Sequence, residues 1–295
     1  MTIDFKTIII TTLMYSSPLV FAALGGVISE KSGVINIGIE GMMTLGAFVG
    51  TTIGYYTGNP WVGFILGGLA SALFSLLHAV ASITFKANQT ISGIALNLIG
   101  PGLSIFLCRI FFDNQTVTTP VENKLPKLFN SIDITTLFAL LAAIFMWVFF
   151  KKTKFGLRVL SVGENPYAAD ALGINIFKIR YVCVFISGFL SGLGGAAMTL
   201  GIVSYFSPTV IAGQGFIALA AVIFGKWNPI GSYLACLVFA FSQALTVSFG
   251  NLNIIPSELI SMLPYILTIV ILILFVGKSA APKYNGIPFE KNFRA

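Results

Sequence analysis

Residues 151–180 read KKTKFGLRVLSVGENPYAADALGINIFKIR, and this polar stretch decides how the rest of the chain is arranged. It carries six basic residues against two acidic ones, and apolar runs flank it directly at 134–150 and 181–203. Lys and Arg accumulate in the short cytoplasmic loops of membrane proteins. The sequence therefore predicts that this segment faces the cytoplasm.

The same stretch contains signals for a short helix of about two turns. Asn165 can accept a hydrogen bond from an unpaired backbone N–H, and Pro166 suits the first helical position. Gly173 suits the left-handed conformation that ends a helix. Small and apolar residues recur on one face of this helix, at Ala168, Ala171 and Leu172. A soluble partner could receive that face in a groove.

The composition indicates a polytopic membrane protein. Of 295 residues, 56% are hydrophobic and 9% are charged, and the mean hydropathy is +0.93. Soluble domains carry far more charge. The net charge of +7 lies largely in the 151–180 loop and in the 278–295 tail, where it faces anionic lipid. The three cysteines fall within apolar runs and are predicted to be small core residues.

Nine apolar segments follow one another at 8–28, 34–56, 61–85, 91–112, 134–150, 181–203, 216–224, 230–249 and 259–276. Most approach the roughly 20 residues that span a bilayer, but 216–224 is too short and reads as a half-helix. We predict an all-α protein with eight to ten crossings, an outside N-terminus and a cytoplasmic C-terminus. We expect residues 1–295 to form one transmembrane domain, with helical halves at 8–150 and 181–277, the cytoplasmic loop at 151–180 and a cytoplasmic tail at 278–295.

A short similarity links the two halves. Leu24-Gly25-Gly26, a break and Ile39-Glu40-Gly41 in the first half correspond to residues 193–195, a break and residues 213–215 in the second. The first of these spans is predicted to run inward and the other outward, as an inverted repeat requires. Transporters commonly bind substrate at such a repeat interface, near the middle of the membrane.

Polar residues inside predicted spans are the candidates for a substrate pathway, because they are costly there. They are Asn36, Glu40 and Asn97, together with Gln214, which lies between two glycines at the start of the short segment. Glu40 could instead cap a helix break between residues 38 and 41. Asn97 precedes the Gly-Pro-Gly sequence at 100–102, which predicts an interrupted helix lining a cavity. Amide side chains can both donate to and accept from a nucleobase or a sugar.

Small residues at helical spacing are interpreted as packing faces. One set comprises Gly46, Gly50 and Gly54, and the other comprises Ser187, Ser191 and Gly195. Such faces let membrane helices approach closely. His78 is predicted to form an interhelical hydrogen bond, and Arg109 and Glu258 are predicted to anchor helix ends.

The sequence contains no GxxxxGK[ST] phosphate loop, metal-ligand cluster or nucleophile motif, so nothing in it indicates an enzyme. Any ATP-driven activity would need another subunit. The classes that remain are a transport subunit, an ion-coupled secondary transporter, and a membrane enzyme or scaffold without substrate flux. The chain lacks the paired buried carboxylates that ion-coupled carriers often carry.

The string VGENPYAADALGI at 162–174 resembles the cytoplasmic coupling-loop motif of ABC importer permeases that serve branched-chain amino acids, ribose-type sugars and nucleosides. Residues 33–43, 78–98 and 222–231 resemble the nucleoside branch, specifically its shorter permease, more than the ribose or amino-acid branches. The resemblance covers nearly the whole chain. Ribose-like sugars remain an alternative cargo on the same scaffold.

This resemblance implies a bacterial cell-membrane permease with several partners. They are a second, longer permease, a cytoplasmic ATPase that binds ATP and Mg²⁺, and an extracytoplasmic lipoprotein that delivers nucleoside. No cofactor is expected in this chain. The residues implied in ATPase coupling are Glu164, Asn165, Pro166, Ala168, Ala169, Leu172 and Gly173. A bulky residue at Glu164 or Ala169 is expected to uncouple ATP hydrolysis from uptake.

Overall fold

The computed structural model describes residues 5–128, 131–250 and 281–291, together with residues 262, 266, 269 and 270. Its helices are α1 (Phe5–Lys31), α2 (Ile39–Thr57), α3 (Pro60–Ala79), α4 (Gln89–Phe111), α5 (Ile134–Lys152), α6 (Lys154–Glu164), α7 (Pro166–Ala171), α8 (Ile176–Ala197), α9 (Gln214–Phe224) and α10 (Pro229–Gly250). α3 and α8 continue as π-helical turns at Val80–Thr84 and Met198–Val203. The strands β1 (Lys127–Leu128) and β2 (Ile132–Asp133) form a small antiparallel hairpin.

Six helical spans in the described residues are long and apolar enough to cross a membrane. They are Phe5–Lys31, Pro60–Thr84, Gln89–Phe111, Ile134–Lys152, Ile176–Val203 and Pro229–Phe249. α2 adds 19 residues of mixed composition, and α9 is a shorter apolar helix of 11 residues. The all-α, polytopic class is confirmed. The predicted segment 259–276 and Glu258 lie largely outside the described residues.

α1 and α8 form the centre of the bundle. In the most apolar stretch of each span, 61% of the residues are buried in α1 and 72% in α8, compared with 28% in α4. A helix buried on all sides must pack against other helices, whereas one with an exposed apolar face meets lipid. α4 therefore lies at the periphery.

The helix contacts repeat between the two halves. α1 packs against α9 and α10, and α8 packs against α2 and α3. α2 also packs on α3, as α9 packs on α10. Exchanging α1 with α8, α2 with α9 and α3 with α10 therefore reproduces the same neighbours. This arrangement is the one that the predicted inverted repeat requires.

One face of the bundle gathers the segments predicted to be cytoplasmic. The Tyr284 amide donates to the Gly163 carbonyl at 2.9 Å, and the Gly286 amide donates to the Gly33 carbonyl at 3.2 Å. Lys86 forms an ion pair with Glu290 at 3.0 Å. The ends of α1, α3 and α6 and the tail therefore lie on one side, as the charge pattern predicts.

The 151–180 segment is more helical than a loop, and this corrects the sequence interpretation. α6 occupies its first third, with Thr153 Oγ1 accepting from the Gly156 amide at 3.0 Å. α8 begins at Ile176, five residues before the predicted start at 181. The hydropathy pattern missed this turn because Lys178 and Arg180 interrupt the apolar run. Arg180 is nevertheless only 1% exposed.

Candidate functional site

The chain breaks between α1 and α2, at residues 32–38, and we call this segment the first break. Gly33 adopts a left-handed conformation with φ of +88°. The Ile35 amide donates to Gln89 Oε1 at 2.7 Å, and the Ile35 carbonyl lies 2.9 Å from His78 Nε2. His78 Nδ1 lies 2.9 Å from Ser92 Oγ. His78 thus forms interhelical hydrogen bonds, as predicted, and ties the break to α3 and α4.

Asn97 on α4 caps the start of α2. Its Oδ1 accepts from the Gly41 amide at 2.9 Å, and its Nδ2 donates to the Ile37 carbonyl at 2.9 Å. The predicted interruption of α4 at 100–102 is wrong, since the helix runs through Pro101. Pro101 removes one helical N–H, and Gly100 lies directly against Gly41. The interruption therefore lies not in α4 but in the first break, which faces Asn97.

Asn36 lies inside the first break and is fully buried, so it lines no open pathway in this structure. Its place in a substrate pathway stays a prediction. Its Nδ2 donates to Ser187 Oγ on α8 at 2.9 Å. Its Oδ1 accepts no hydrogen bond from any described residue. Asn36 thus joins the break to the central helix of the other half.

The second break, residues 204–213, separates α8 from α9. Ser204 and Gly213 have φ of +82° and +85° at its two ends. The Val121 amide donates to the Ser204 carbonyl at 2.8 Å, and the Phe206 amide donates to Thr118 Oγ1 at 3.0 Å. The loop between α4 and β1 therefore holds this break on the face opposite the tail.

Glu40 on α2 caps the start of α9. The Gly213 and Gly215 amides each donate to its carboxylate at 2.6 Å. A carboxylate suits this position because the first N–H groups of a helix are unpaired and carry partial positive charge. Glu40 thus has a capping role, as the sequence analysis allowed, but it caps α9 and not the break between residues 38 and 41. The similarity between residues 39–41 and 213–215 thus corresponds to a direct contact.

Gln214 is 7% exposed and lines a cavity of about 210 Å³ between α1, α9 and α10. Of the four predicted pathway residues it alone borders that cavity. Asn36, Glu40 and Asn97 instead hydrogen-bond within the chain. These three residues therefore hold the two breaks in place.

The small-residue faces lie at the closest helix crossings. A Cβ on Gly46 would lie 2.5 Å from the Gly192 Cα, and one on Gly195 would lie 1.9 Å from the Met43 carbonyl oxygen. Such distances leave no room for any side chain. Gly50 faces Ala196 and Gly54 faces Leu200 along the same crossing of α2 with α8 and its π-helical turn, whereas Ser187 and Ser191 face Gly25 on α1. α1 and α2 thus both pack tightly on α8.

α7 carries the predicted ATPase-facing residues. Asn165 Oδ1 accepts from the Ala168 amide at 3.0 Å, and Gly173 closes the turn with φ of +79°. Leu172 is 81% exposed, and Ala168 and Glu164 are also exposed. Pro166 and Ala169 are buried against this chain, and their part in ATPase coupling stays a prediction. They occupy the inner face of the helical turn.

The sequence reading missed a buried polar network beneath α7. Glu30 Oε2 accepts from Trp227 Nε1 at 2.5 Å and from Asn285 Nδ2 at 3.1 Å. Arg180 Nε donates to the Ser32 carbonyl at 3.2 Å, and its Nη1 donates to the Ile287 carbonyl at 3.1 Å. The partners are up to 255 residues apart. No local motif marks such a network.

The arrangement defines a membrane permease. It combines membrane-spanning helices, two breaks held by side-chain caps and an exposed helix on the basic face. The described residues contain no group of three His, Cys, Asp or Glu side chains that could hold a metal ion.

The chain belongs to the family described as the permease component of branched-chain amino acid transport systems, whose model matches residues 8–272. It is therefore a multi-pass membrane transport subunit and not an enzyme.

Three curated relatives extend over most of the chain. The nucleoside ABC transporter permease protein NupC of Lactococcus lactis is 42% identical over 97% of this chain and 98% of its own length. The guanosine ABC transporter permease protein NupQ of Bacillus subtilis is 43% identical over 97% of each chain. NupP, another guanosine permease protein of B. subtilis, is 25% identical over 92% of this chain and 82% of its own.

A solved structure shares the fold. It is a putative metal-chelate type ABC transporter in an inward-facing conformation, with a TM-score of 0.53, 18% identity, and coverage of 91% of this chain and 85% of the other. The likeness concerns the helical architecture alone.

Proposed function

We propose that the chain is a permease subunit of an ATP-driven nucleoside importer. The observation that carries this proposal is α7, a capped helix that presents Ala168 and Leu172 to solvent on the basic face of the bundle. A short helix that exposes small and apolar side chains on one face is suited to a groove on a soluble protein. The two relatives at 42% and 43% identity are named for nucleoside and guanosine transport.

The proposal includes partners. A cytoplasmic ATPase, binding ATP and Mg²⁺, would receive α7, and this chain itself would hold no cofactor. A second, longer permease would complete the pathway, because B. subtilis has two distinct guanosine permease proteins and this chain covers a smaller share of NupP. An extracytoplasmic lipoprotein would deliver the nucleoside. ATP-driven closure of the ATPase would then move α7 and, through the tail, the first break.

The first test is to purify the chain from its native membrane and to measure nucleoside uptake in vesicles with and without internal ATP. Co-purification of an ATPase and a second permease, with ATP-dependent uptake, is expected. Uptake that follows an ion gradient without ATP would assign the chain to secondary transporters. ATP-driven uptake of ribose but not of nucleosides would assign it the sugar cargo.

The coupling surface is tested with a matched pair of tryptophan substitutions. Ala168→Trp adds bulk to the exposed face and is expected to lower ATP-dependent uptake at least tenfold while the protein still folds. Ala169→Trp adds the same bulk on the buried face and is expected to lower the melting temperature first. Wild-type ATPase coupling in Ala168→Trp would contradict the role of α7.

A further inference from the structure

Four exposed basic residues lie together where α5 ends and α6 begins, and we call them the basic corner. They are Lys151, Lys152, Lys154 and Arg158. Residues 134–163 contain no Asp or Glu. Among the described residues no member of the basic corner forms an ion pair, whereas Lys86 pairs with Glu290. The described part of the chain therefore leaves these positive charges uncompensated.

The two helices hold the basic corner in a fixed shape. A Cβ on Gly156 would lie 2.1 Å from the Phe149 carbonyl oxygen, so α6 turns back directly onto the end of α5. The rings of Phe149 and Phe155 pack with their centroids 5.9 Å apart. Lys154 and Arg158 are one helical turn apart, so they project from the same side of α6. The cations of both helices are therefore held next to each other.

An exposed apolar stripe on α5 leads to the basic corner. Leu141, Phe145 and Val148 are all exposed, and Phe145 is 71% exposed. Their spacing of four and three residues places them on one face, and Lys152 continues that face one turn later. α5 has 19 residues and is about 28 Å long, which matches a hydrocarbon core of about 30 Å. The stripe therefore faces acyl chains, and Lys152 lies at the level of the headgroups.

Two further side chains suit the boundary between acyl chains and headgroups. Lys151 Nζ lies 4.5 Å from the centre of the Trp147 ring. Tryptophan is enriched at this boundary in membrane proteins. On α6, Leu157 is 54% exposed between Lys154 and Arg158. A helix that exposes basic and apolar side chains together lies in the plane of the membrane surface.

The chemistry of the corner selects among occupants. A phospholipid with a net negative headgroup brings a phosphate to the cations and acyl chains to the stripe on α5. Each Lys or Arg near an anionic membrane surface strengthens binding about fivefold. A free phosphate or an acidic protein surface would compensate the charges but would not cover Leu141, Phe145 and Val148. The continuous apolar and basic surface therefore favours a lipid.

We propose that the basic corner binds an anionic phospholipid, whose phosphate lies among the four cations and whose acyl chain lies along the stripe on α5. The bound lipid would hold α6 in place, and α6 joins α7 through Asn165 alone. Lipid binding itself goes beyond the proposed import and does not depend on it. The effect of the lipid on coupling through α7 rests on the proposed function.

The test uses the whole transporter in proteoliposomes and brominated lipids, which quench tryptophan on contact. The difference between wild type and Trp147→Phe isolates the signal of Trp147. Brominated phosphatidylglycerol should bind at Trp147 at least about fivefold more tightly than brominated phosphatidylcholine. Trp61, at the other end of the bundle on α3, is isolated in the same way with Trp61→Phe and should show no such preference.

A matched pair of double variants tests the cations. Lys151→Gln with Lys152→Gln should reduce the preference at Trp147 to less than about twofold. Lys178→Gln with Lys226→Gln removes the same charge from exposed positions outside the corner and should leave the preference unchanged. Uptake per ATP hydrolysed should rise about twofold or more with phosphatidylglycerol in wild type, and it should not rise in the first double variant.

The outcomes separate the site from the import function. Equal binding of the two lipids at Trp147 would overturn the lipid site and leave nucleoside import standing. A preference that occurs in this chain alone and is lost in the whole transporter would mean that a partner protein covers the corner. A preference that inorganic phosphate abolishes would assign the corner to free phosphate. Either result would overturn the assignment to lipid. A preserved preference without ATP-dependent nucleoside uptake would overturn the proposed function alone.

Discussion

The two breaks are counterparts in the repeat, but they are held differently. The start of α2 is capped by the neutral amide of Asn97, and the start of α9 is capped by the carboxylate of Glu40. The tail contacts the first break through the amide of Gly286. The loop after α4 contacts the second break through Thr118.

This difference indicates a division of tasks between the two faces. The first break lies beside α7 and the tail, where a push from a cytoplasmic partner would arrive. The second break lies beside the cavity that Gln214 lines. Glu40 belongs to the helix that starts at the first break and holds the helix that starts at the second. It therefore connects the two breaks mechanically.

Removing the carboxylate cap should have the largest effect. Glu40→Ala takes the acceptor from two buried amides, at about 3 kcal/mol or more, because hydrogen bonds to charged groups contribute about 1.5–3 kcal/mol each. Asn97→Ala removes a neutral cap and should cost about half as much. Thermal unfolding in detergent and ATP-dependent uptake measure both. Equal losses in the two variants would refute the distinction between the caps.

Substituting the glycine whose amide donates to each cap should have the next largest effect. A Cβ on Gly41 would lie 2.2 Å from the Leu96 carbonyl oxygen, and one on Gly215 would lie 2.6 Å from the Glu40 Cα. We expect alanine at either position to destabilise the protein by about 2 kcal/mol and to reduce uptake, as overpacking does. Gly102→Ala is the control, because nothing lies within 4 Å of that position. An unfolding temperature unchanged by Gly41→Ala would contradict the close contact.

Single hydrogen bonds to the loops around the breaks should have smaller effects. Asn285→Ala removes one donor to buried Glu30, and Thr118→Val removes the acceptor of the Phe206 amide. Each should cost about 1–2 kcal/mol. Asn285→Ala should also lower the uptake achieved per ATP hydrolysed, because the tail touches α6 and the first break. If Thr118→Val lowers the uptake per ATP hydrolysed and Asn285→Ala does not, the push from the cytoplasmic partner arrives at the second break and not at the first.

The most restricted effect should be a pH dependence close to the second break, where the Asp133 carboxylate faces Gly201. Asp133 is 1% exposed and its carboxylate accepts no hydrogen bond from the described residues, although Lys124 and Lys127 lie near. Burial raises its pKa from 3.8 to about 6. Since the folded pKa exceeds the unfolded one, stability falls as pH rises from about 4 to about 6 and then levels off.

Asp133→Asn should remove this dependence. The variant should melt a few degrees above wild type at pH 7 and at the same temperature at pH 4. Asp113→Asn, at an exposed position, is the control and should follow wild type throughout. A melting difference that does not change with pH would exclude ionisation of Asp133 as the cause.

The sequence predicts the parts of this fold that depend on local order. Apolar length predicts the spans, the Asn165-Pro166 pair predicts the start of α7, and charge predicts the cytoplasmic face. The pairing of Glu40 with α9 could not be predicted, because its two partners lie more than 170 residues away. Because of Arg180, the sequence analysis placed the start of α8 too late. The Arg180 cation is buried because carbonyls of the first break and the tail, rather than water, accept its hydrogen bonds.

The sequence pattern also does not predict which face of a short helix is buried. Ala168 and Ala169 are chemically alike and adjacent, yet one faces solvent and the other is buried. The Tyr167 ring packs on Tyr284 and Phe289 of the tail, and this contact orients α7. Gln214 is recognisable from sequence as a polar residue in an apolar segment. Gln243, inside the predicted 230–249 span, is equally recognisable, but the sequence does not show that it lies at the same cavity as Gln214.

The tail has a consequence for how the protein is made. Asn285 and the Ile287 carbonyl complete hydrogen bonds for Glu30 and Arg180, which were synthesised long before. We expect the nascent chain to carry this acid and this base with incomplete partners until residues 285–287 are made. Removal of residues 281–295 should therefore leave every span named above in the chain and still destabilise the ends of α1 and α8 that meet the tail.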